Sequence, residues 1–406
     1  MDRLDVAVIG GGAAGIAAAR SLIERGKSVL LIEALPRLGG RARTETLNGV
    51  PVDFGCEWLH SAERNPLTAL AERNGFIVDR GESAWQKQSP NLIYVAEDRQ
   101  RAWNSYERFV QKLHDEPPPS DRAADVFAEG DPCRGYVDAL SSFINGTETD
   151  NLSARDFLTY DDAASDNNWR LERGYGTLIS KLGADVPASI ETSVTRISHG
   201  REVELETSRG TIRAKAAIVT VSTTVLASGA IRFSPAIDDH FHAASLLPLG
   251  IADKVFLSMA DPQAIPAETH FIGRLDRAGT ASHYIRPFGR PVIECYLGGK
   301  LARELENAGS SAAESFVLGE LRELLGSDVV RGFKFAAFTR WGHEPTIGGS
   351  YSHALPGHAA ARSALAKPVS ERLCFAGEAC SPRDFSTALG AWQSGITAAD
   401  WIACNL

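Results

Sequence analysis

Three glycines and one acid in the first part of the sequence have the types and spacing that dinucleotide binding requires. Gly10, Gly12 and Gly15 follow one another closely, and Glu33 comes about 20 residues later. Gly10 permits a tight turn, Gly12 lets a pyrophosphate approach the backbone, and Gly15 lets a helix pack closely on a strand. A carboxylate at Glu33 can accept hydrogen bonds from ribose hydroxyl groups. The pattern therefore predicts a site for an adenine dinucleotide.

The segments around these residues predict the elements that position them. An apolar run over 4–9 predicts a strand, small residues over 13–25 predict a helix, and a second apolar run over 29–32 predicts another strand. The helix would begin at Ala13 and Ala14, where unpaired N–H groups and the positive end of the helix dipole favour a phosphate. A βαβ unit without a ligand is the alternative, but it would not need this set of glycines and an acid.

A second glycine-rich turn favours FAD over NAD as the dinucleotide. Glu33 and Ala34 are followed by RLGGR at 37–41, which includes Gly40 and Arg41. A simple NAD dehydrogenase has no need of another cationic, glycine-rich turn directly after its ribose acid. The sequence therefore predicts a flavoprotein.

From these motifs onward the chain resembles the flavin-containing amine oxidases, a family that includes monoamine oxidases, polyamine oxidases and flavin-dependent histone lysine demethylases. Further motifs carry the resemblance through most of the chain, and only the segment from about residue 76 to residue 170 is weakly matched. These motifs lie at 53–66, 171–182, 193–197, 219–235, 252–257, 340–357 and 373–395.

The resemblance implies an α/β fold, with a Rossmann-type FAD-binding domain and an interleaved α+β substrate-binding domain. The FAD-binding domain is expected over 1–75, 171–232 and 341–406, and the substrate-binding domain over 76–170 and 233–340. The residues expected to bind FAD are Gly10, Gly12, Ala13, Ala14, Gly15, Glu33, Ala34, Gly40, Arg41, Gly55, Glu57, Trp58, Val194, Trp341, Gly377, Glu378, Thr387 and Ala388.

Four residues are expected to act in catalysis on the strength of the resemblance. Lys254 matches the family lysine that holds a water against the reactive flavin nitrogen, although by its sequence alone it would be a solvated lysine on an edge strand. Tyr351 matches one wall of the aromatic cage, and Thr387 occupies the position of the second wall. His60 occupies a position where many polyamine oxidases have histidine, and a structural role is its alternative.

The activity implied is FAD-dependent amine oxidation. The C–N bond of an amine is oxidised to an imine with a hydride equivalent passing to flavin, O2 reoxidises the flavin to give H2O2, and the imine hydrolyses to an aldehyde or ketone. One alternative is an L-amino-acid oxidase, with Arg286 or Arg340 binding the carboxylate. Another is an FAD-dependent dehydrogenase or desaturase that does not use O2. A non-catalytic flavoprotein would not need Lys254 and Tyr351. The amine and the oligomeric state stay open.

Two serines depart from the family pattern. Ser350 precedes Tyr351 at the position where monoamine oxidases attach flavin to a cysteine. Because serine cannot form that thioether, we expect FAD to be non-covalent. Ser222 stands where the family usually has proline, and the expected consequence is confined to a loop.

Length and composition set limits on the function. A chain of 406 residues is expected to form two domains, and the net charge of −9 argues against nucleic acid as a partner. No apolar run of about 18 residues predicts a membrane span, and the first strand leaves no room for a signal peptide. The six cysteines have no metal-binding spacing, so we expect no metal site and reduced thiols in the cytoplasm.

The two segments of the expected substrate-binding domain, 76–170 and 233–340, are the first and second insertions into the FAD-binding domain. The pattern of the second insertion predicts strands, then helices, then a last strand. Strands are predicted at 269–273, 282–286, 292–297 and 333–338, and helices at 301–308 and 312–325. In the first insertion an amphipathic helix is predicted over 104–114, ended by the three prolines at 117–119.

Overall fold

The computed structural model describes residues 4–87 and 93–406, and its larger sheet has eight strands. Seven of them lie side by side in the order Arg232–Ser234, Val194–His199, Val203–Thr207, Gly210–Val219, Leu4–Ile9, Val29–Ile32 and Ala188–Ser189. The eighth, Leu373–Phe375, pairs in parallel with the far end of Gly210–Val219. That long strand therefore pairs with Val203–Thr207 along its first half and with Leu373–Phe375 along its second.

The βαβ unit predicted from the glycine spacing is confirmed. Strands Leu4–Ile9 and Val29–Ile32 are parallel neighbours, and the helix Ala13–Glu24 connects them. Its alanines are buried together with Leu22, because small side chains let the helix lie close to the sheet. The helix Ala388–Asn405 packs into the same core through Ala399 and Ile402.

A five-stranded antiparallel sheet forms the centre of the second part of the molecule. Its strands lie in the order Thr269–Ile272, Ser282–Ile285, Val292–Gly298, Ala252–Met259 and Phe333–Phe338. One face carries Val255, Ile293 and Leu297 and packs with residues of the helices Gly299–Ala308 and Ser310–Leu325. Because side chains alternate along strands, Lys254, Glu294 and Tyr296 lie on the opposite face.

The remaining strands form two small sheets. One pairs Thr44–Leu47 with Val50–Asp53, and the other has the order Trp58–Leu59, Trp169–Leu171, Val78–Asp79. The remaining α-helices are Pro66–Arg73, Ala84–Lys87, Ala96–Asp115, Arg134–Asn145, Ala154–Asp161, Tyr175–Gly183, Thr223–Ala227, Asp238–Ser245, Ser327–Val330 and Ala361–Ala366. Short 3-10 turns occur at Ala123–Val126, Thr149–Asn151, Pro262–Ala264, Pro287–Gly289, Trp341–His343 and Glu378–Cys380.

The strands and helices predicted over 269–338 are confirmed, with ends that differ by one or two residues. The helix predicted over 104–114 is longer than expected and spans Ala96–Asp115. Its first two turns were missed because they are charged and mostly exposed, whereas Phe109 and Leu113 supply the apolar stripe farther along. Ser222 does more than alter a loop, since its side chain accepts from Val225 N at 3.2 Å and caps the next helix.

The predicted domain limits stay a prediction, but the packing bears on the limit at residue 232. Ala243, Ala244 and Leu247 belong to the segment predicted for the substrate-binding domain, yet they pack in the core on one face of the eight-stranded sheet. Within the described ranges, none of the helices combines the length and apolar character needed to cross a bilayer. In the same ranges, no three or more His, Cys, Asp or Glu side chains are grouped to hold a metal ion.

Candidate active site

The glycine-rich turn leads from the first strand into the first helix. Gly10 has a left-handed φ of +107°, and a Cβ there would lie 2.5 Å from Thr220 Oγ1. A Cβ on Gly15 would lie 1.9 Å from the Gly10 carbonyl oxygen. A Cβ on Gly12 would meet no atom within 4 Å, and no side chain caps the helix there. The N–H groups of the first turn, from Ala13 onward, are thus free of side-chain caps.

Glu33 lies at the end of the second strand with its carboxylate turned toward this turn. Oε2 accepts from Gly11 N at 2.6 Å, and Oε1 accepts from Leu35 N at 2.7 Å across Ala34. The side chain is buried, and this burial raises the pKa of Glu33 despite the two N–H donors. The Glu33 carbonyl oxygen accepts from Thr192 N at 2.8 Å, which brings the strand that begins at Val194 alongside the site.

The second glycine turn lies against the first, because Gly39 and Gly12 form a parallel bridge next to Gly40. Arg41 follows and donates from Nη1 to Glu378 Oε1 at 2.9 Å and to the Ser350 carbonyl oxygen at 2.7 Å. Burial alone would raise the pKa of Glu378, but Arg41 and a second arginine lower it below its ordinary value. Glu378 is therefore a buried carboxylate anion beside Gly377, at the end of the last strand of the sheet.

Thr387 is the N-cap of the helix that begins at Ala388. Its hydroxyl accepts from Gly390 N at 3.0 Å and donates to the Asp384 carbonyl oxygen at 2.6 Å. Both hydrogen bonds are local, so the threonine at the position of the second, aromatic cage wall of monoamine oxidases caps the start of this helix. Its expected role in catalysis stays a prediction.

The loop that contains Gly55 packs against Trp341. The indole Nε1 of Trp341 donates to the Phe54 carbonyl oxygen at 3.2 Å, and its ring carbon lies 3.3 Å from where a Gly55 Cβ would stand. Trp341 is buried together with Leu249 and Ile347. It is therefore a core residue and a support of this loop at the same time.

Lys254 is buried in an inner strand of the five-stranded sheet, which excludes the alternative of a solvated lysine on an edge strand. Nζ donates to the Asp53 carbonyl oxygen at 2.8 Å and to Glu57 Oε2 at 2.8 Å, and it lies 3.4 Å from Glu294 Oε2. Burial disfavours the ammonium, but Glu57 and Glu294 outweigh it and raise the pKa of Lys254. Lys254 is therefore a permanent cation that joins the second sheet to the 53–57 loop.

Tyr351 is linked by its hydroxyl to Tyr296. The two hydroxyl oxygens are 2.9 Å apart, and Tyr351 also donates to the Phe143 carbonyl oxygen. Tyr296 stands directly opposite Lys254 in the strand register, so its ring lies on the face that carries Lys254, and the hydroxyl of Tyr351 meets it there. Beside Tyr351, Ser350 Oγ donates to the Ala252 carbonyl oxygen at 2.8 Å and accepts from Ala252 N at 2.8 Å.

Trp58 and His60 follow the 53–57 loop along the chain. His60 Nδ1 donates to Asn168 Oδ1 at 2.7 Å, and burial lowers the pKa of His60, so the ring is neutral at pH 7. The rings of Trp58 and Trp85 meet edge to face, with their centroids 4.4 Å apart. The Arg170 guanidinium carbon lies over the Trp58 ring, 5.0 Å from its centroid.

The sequence did not point to Glu294 and Tyr296 as site residues. Both lie in a strand that was predicted, and alternation would have placed them on one face. Which face meets Lys254 depends on pairing between distant strands, and that pairing was not visible in the sequence.

Comparison with known proteins identifies the family of this chain. The model of the family described as flavin containing amine oxidoreductase matches residues 96–403, and that of an NAD(P)-binding Rossmann-like domain matches residues 8–74. The chain belongs to the flavin-containing amine oxidoreductases. The predicted α/β fold with a Rossmann-type FAD-binding part is thereby confirmed.

Similar proteins include plant polyamine oxidases. Polyamine oxidase 5 of Oryza sativa subsp. japonica is 26% identical over 97% of this chain and 87% of its own length. The human lysine-specific histone demethylase 2 is 24% identical, but the chain spans only 53% of it. Among solved structures, cyclohexylamine oxidase from Brevibacterium oxydans has a TM-score of 0.76 at 21% identity, and putrescine oxidase bound to putrescine has 0.78 at 16% identity. Each of these two alignments covers 99% of both chains.

The protein is therefore an FAD-dependent oxidoreductase that acts on CH–NH or CH–NH2 groups of amines. The alternative of an L-amino-acid oxidase is not favoured. Its candidate arginines have other partners, since Arg286 donates to the Ile265 carbonyl oxygen at 3.0 Å and Arg340 to the Glu306 carbonyl oxygen at 2.9 Å.

The residues of the chain fit FAD by their chemistry. The uncapped helix N-terminus at Gly12 suits a pyrophosphate, and the buried Glu33 carboxylate keeps lone pairs for ribose hydroxyl groups. The N-terminus of the helix Ala388–Asn405 provides a second positive dipole end.

Proposed function

We propose that the protein is an oxidase of small-molecule amines that holds FAD non-covalently and uses O2 as electron acceptor, with release of hydrogen peroxide. The observation that carries this proposal is the buried contact between Lys254 and the 53–57 loop. The Lys254 ammonium, on the five-stranded sheet, reaches the 53–57 loop, which the family resemblance assigns to cofactor binding. Its Nζ lies 2.8 Å from the Asp53 carbonyl oxygen.

The proposed FAD-binding residues come from three parts of the chain. They are Gly10, Gly12, Ala13, Ala14, Gly15, Glu33, Ala34, Gly40, Arg41, Gly55, Glu57, Trp58, Val194, Trp341, Gly377, Glu378, Thr387 and Ala388. When bound, FAD supplies a two-electron acceptor that the protein side chains lack. Non-covalent attachment is supported by Ser350, whose hydroxyl is engaged with both backbone groups of Ala252.

The side chains on the shared face have distinct proposed roles. Lys254 keeps a positive charge where negative charge develops during electron transfer, which stabilises that charge in a site shielded from water. The rings of Tyr351 and Tyr296, joined through their hydroxyl groups, are proposed to form one wall of a substrate cavity and to attract a cationic amine through their faces. His60 and Thr387 are proposed to line the same cavity, His60 as a neutral ring held by Asn168. The oxidised substrate is an imine, which water hydrolyses to an aldehyde or ketone.

The nature of the substrate is supported by the relatives. Proteins named polyamine oxidase, putrescine oxidase and cyclohexylamine oxidase all match over nearly the full chain, so a small amine is the proposed substrate class. A cytoplasmic location is proposed from the six cysteines, all of which have free thiols.

A peroxide assay with a panel of amines tests this function. Purified protein loaded with FAD is mixed in air with mono-, di- and polyamines and with L-amino acids, and both oxygen consumption and peroxide are measured. We expect equal amounts of both with at least one amine. Bleaching of the flavin by an amine under argon without peroxide in air would instead indicate a dehydrogenase. Activity confined to amino acids would contradict the proposed substrate class.

A further inference from the structure

Two carboxyl groups converge on the Lys254 ammonium. Glu57 Oε2 lies 2.8 Å from Nζ and Glu294 Oε2 lies 3.4 Å from it, while the Asp53 carbonyl oxygen takes the third direction at 2.8 Å. An ammonium has three N–H donors, so each of them is directed at a protein oxygen. The side chains of Lys254, Glu57 and Glu294 are only 6%, 12% and 8% exposed.

The two carboxyl groups contact the same ammonium, so they are also close neighbours of each other. Two carboxylates offer only acceptors, so a direct hydrogen bond between such neighbours needs a proton on one of them. A buried pair with a single cation is in any case unfavourable when both members are ionised. One proton between Glu57 and Glu294 leaves the three side chains with no net charge.

Other charged or titratable groups face the pair from neighbouring strands and loops. They are Asp53, Arg170, Tyr284, Arg290 and Tyr296. Arg170 is itself paired with Asp79 and Glu268, each at 2.9 Å. Arg290 donates to the Pro51 carbonyl oxygen at 2.8 Å and to that of Glu172. These arginines therefore donate their hydrogen bonds to other acceptors, and Lys254 supplies the direct cationic contact of the pair.

We propose that Glu57 and Glu294 are a proton-sharing pair that positions the Lys254 ammonium and makes the charge of the site depend on pH. This inference rests on the proposed function, in which Lys254 lies beside the bound cofactor. Glu57 is the ionised member and Glu294 the protonated one. Loss of the shared proton in alkaline solution adds one negative charge next to Lys254, which strengthens the attraction for a cationic amine and opposes negative charge on the reduced cofactor.

The direction of each pKa agrees with this assignment. Burial and the neighbouring Glu57 raise the pKa of Glu294 to about 8. Burial would also raise the pKa of Glu57, but Lys254 and Arg170 lower it. Because the folded protein holds a proton on Glu294 that the unfolded chain releases near pH 4.5, stability declines as the pH rises toward about 8.

Infrared spectroscopy of the holoenzyme without substrate tests the shared proton. The buried Asp253 also has a raised pKa, so the signal sought is one component of the protonated-carboxyl band. We expect a component that disappears between about pH 7 and pH 9 and is missing from the spectrum of Glu294→Gln. Glu320→Gln is the matched control, because Glu320 is a buried carboxylate paired with His283 at 2.9 Å, away from Lys254. The control variant should keep the band. Should Glu294→Gln fail to fold, Glu57→Gln takes its place, because loss of the Glu57 charge removes a main cause of the raised pKa of Glu294 and should abolish the component that titrates between about pH 7 and pH 9.

The reduction potential of bound FAD tests the effect on the site. Between about pH 7 and pH 9, the potential should fall more steeply with pH in the parent than in Glu294→Gln, because the glutamine cannot ionise. Absence of a titrating carboxyl band would overturn the shared proton. Equal pH dependence of the two potentials would overturn its effect on the cofactor. If the band titrates as expected but no amine is oxidised, the pair stands and the proposed function fails.

Discussion

Arg362 and Asp156 are joined by two hydrogen bonds, from Nε to Oδ1 at 2.6 Å and from Nη2 to Oδ2 at 2.7 Å. Both side chains are buried, and they connect the helices Ala154–Asp161 and Ala361–Ala366. Arg362 Nη1 also donates to Ser352 Oγ at 2.9 Å. A single network therefore links the first insertion to the carboxylate that pairs with Arg41, because the hydroxyl of Ser352 donates to that carboxylate at 2.6 Å.

Replacing Asp156 with asparagine should destabilise the protein strongly. The change leaves the Arg362 guanidinium buried without an anion, which costs about 3–5 kcal/mol of the free energy of unfolding. Urea unfolding of the holoenzyme measures this loss. Asp162→Asn is the control, because Asp162 is 65% exposed and its nearest partner is His114 at 3.5 Å. Equal stability of the two variants would mean that the ion pair is dispensable.

Glu33→Ala should weaken FAD binding. The carboxylate accepts from Gly11 N and Leu35 N, and its removal leaves these donors and the ribose hydroxyl groups without their acceptor. The cost of such unpaired groups is about 1–3 kcal/mol, which corresponds to roughly a 5- to 150-fold larger dissociation constant for FAD. Fluorescence titration of the apoprotein with FAD measures it. Glu24→Ala, at a side chain 72% exposed, should leave the constant unchanged. Equally tight binding by Glu33→Ala would contradict the assignment of the ribose site.

The sequence predicted those parts of the fold that depend on local spacing. The glycines at 10, 12 and 15 defined the βαβ unit, and alternation or helical periodicity defined the strands and helices from Thr269 to Phe338. Lys254 and Tyr351 came from the family resemblance, and their assigned roles stay proposals.

The partners of these residues could not be predicted, because they are set by long-range pairing. Glu57 and Glu294 both reach Lys254, although they lie 197 and 40 residues away along the chain. Thr387 illustrates a different limit. Its residue type fits a helix cap as well as a cavity wall, and only the backbone geometry shows that the cap is formed.

Lys254→Met should slow the reaction of the reduced enzyme with O2 by at least about tenfold, or roughly 1.4 kcal/mol of barrier. Methionine keeps much of the side-chain volume but removes the charge and all three donors. Reduction of the enzyme by an amine should change less, since the amine is proposed to meet Tyr351 directly. Stopped-flow absorbance measures the two half-reactions separately. Lys334→Met is the control, at an exposed lysine on the strand Phe333–Phe338. An unchanged reaction with O2 would remove Lys254 from the proposed chemistry.

Denaturation should release all of the FAD. Ser350 cannot form a thioether. Its hydroxyl accepts from Ala252 N and donates to the Ala252 carbonyl oxygen, each at 2.8 Å. After precipitation with acid, the yellow colour should be found in the supernatant and the pellet should be colourless. A pellet that keeps flavin absorbance after washing would show a covalent bond.

The strand Gly210–Val219 has a consequence for synthesis of the chain on the ribosome. Its parallel neighbours are Leu4–Ile9 on one side and Leu373–Phe375 on the other, and the helix Ala388–Asn405 shares a core with Ala13–Glu24. The first helix therefore gains its packing against Ala388–Asn405 only after that segment has been synthesised. Until then part of the apolar surface of the first helix lacks its partner, and such exposed apolar surface makes incomplete chains prone to aggregate. Completion of the nucleotide-binding half therefore needs segments far apart in the sequence, and a stop upstream of residue 373 leaves that half unfinished.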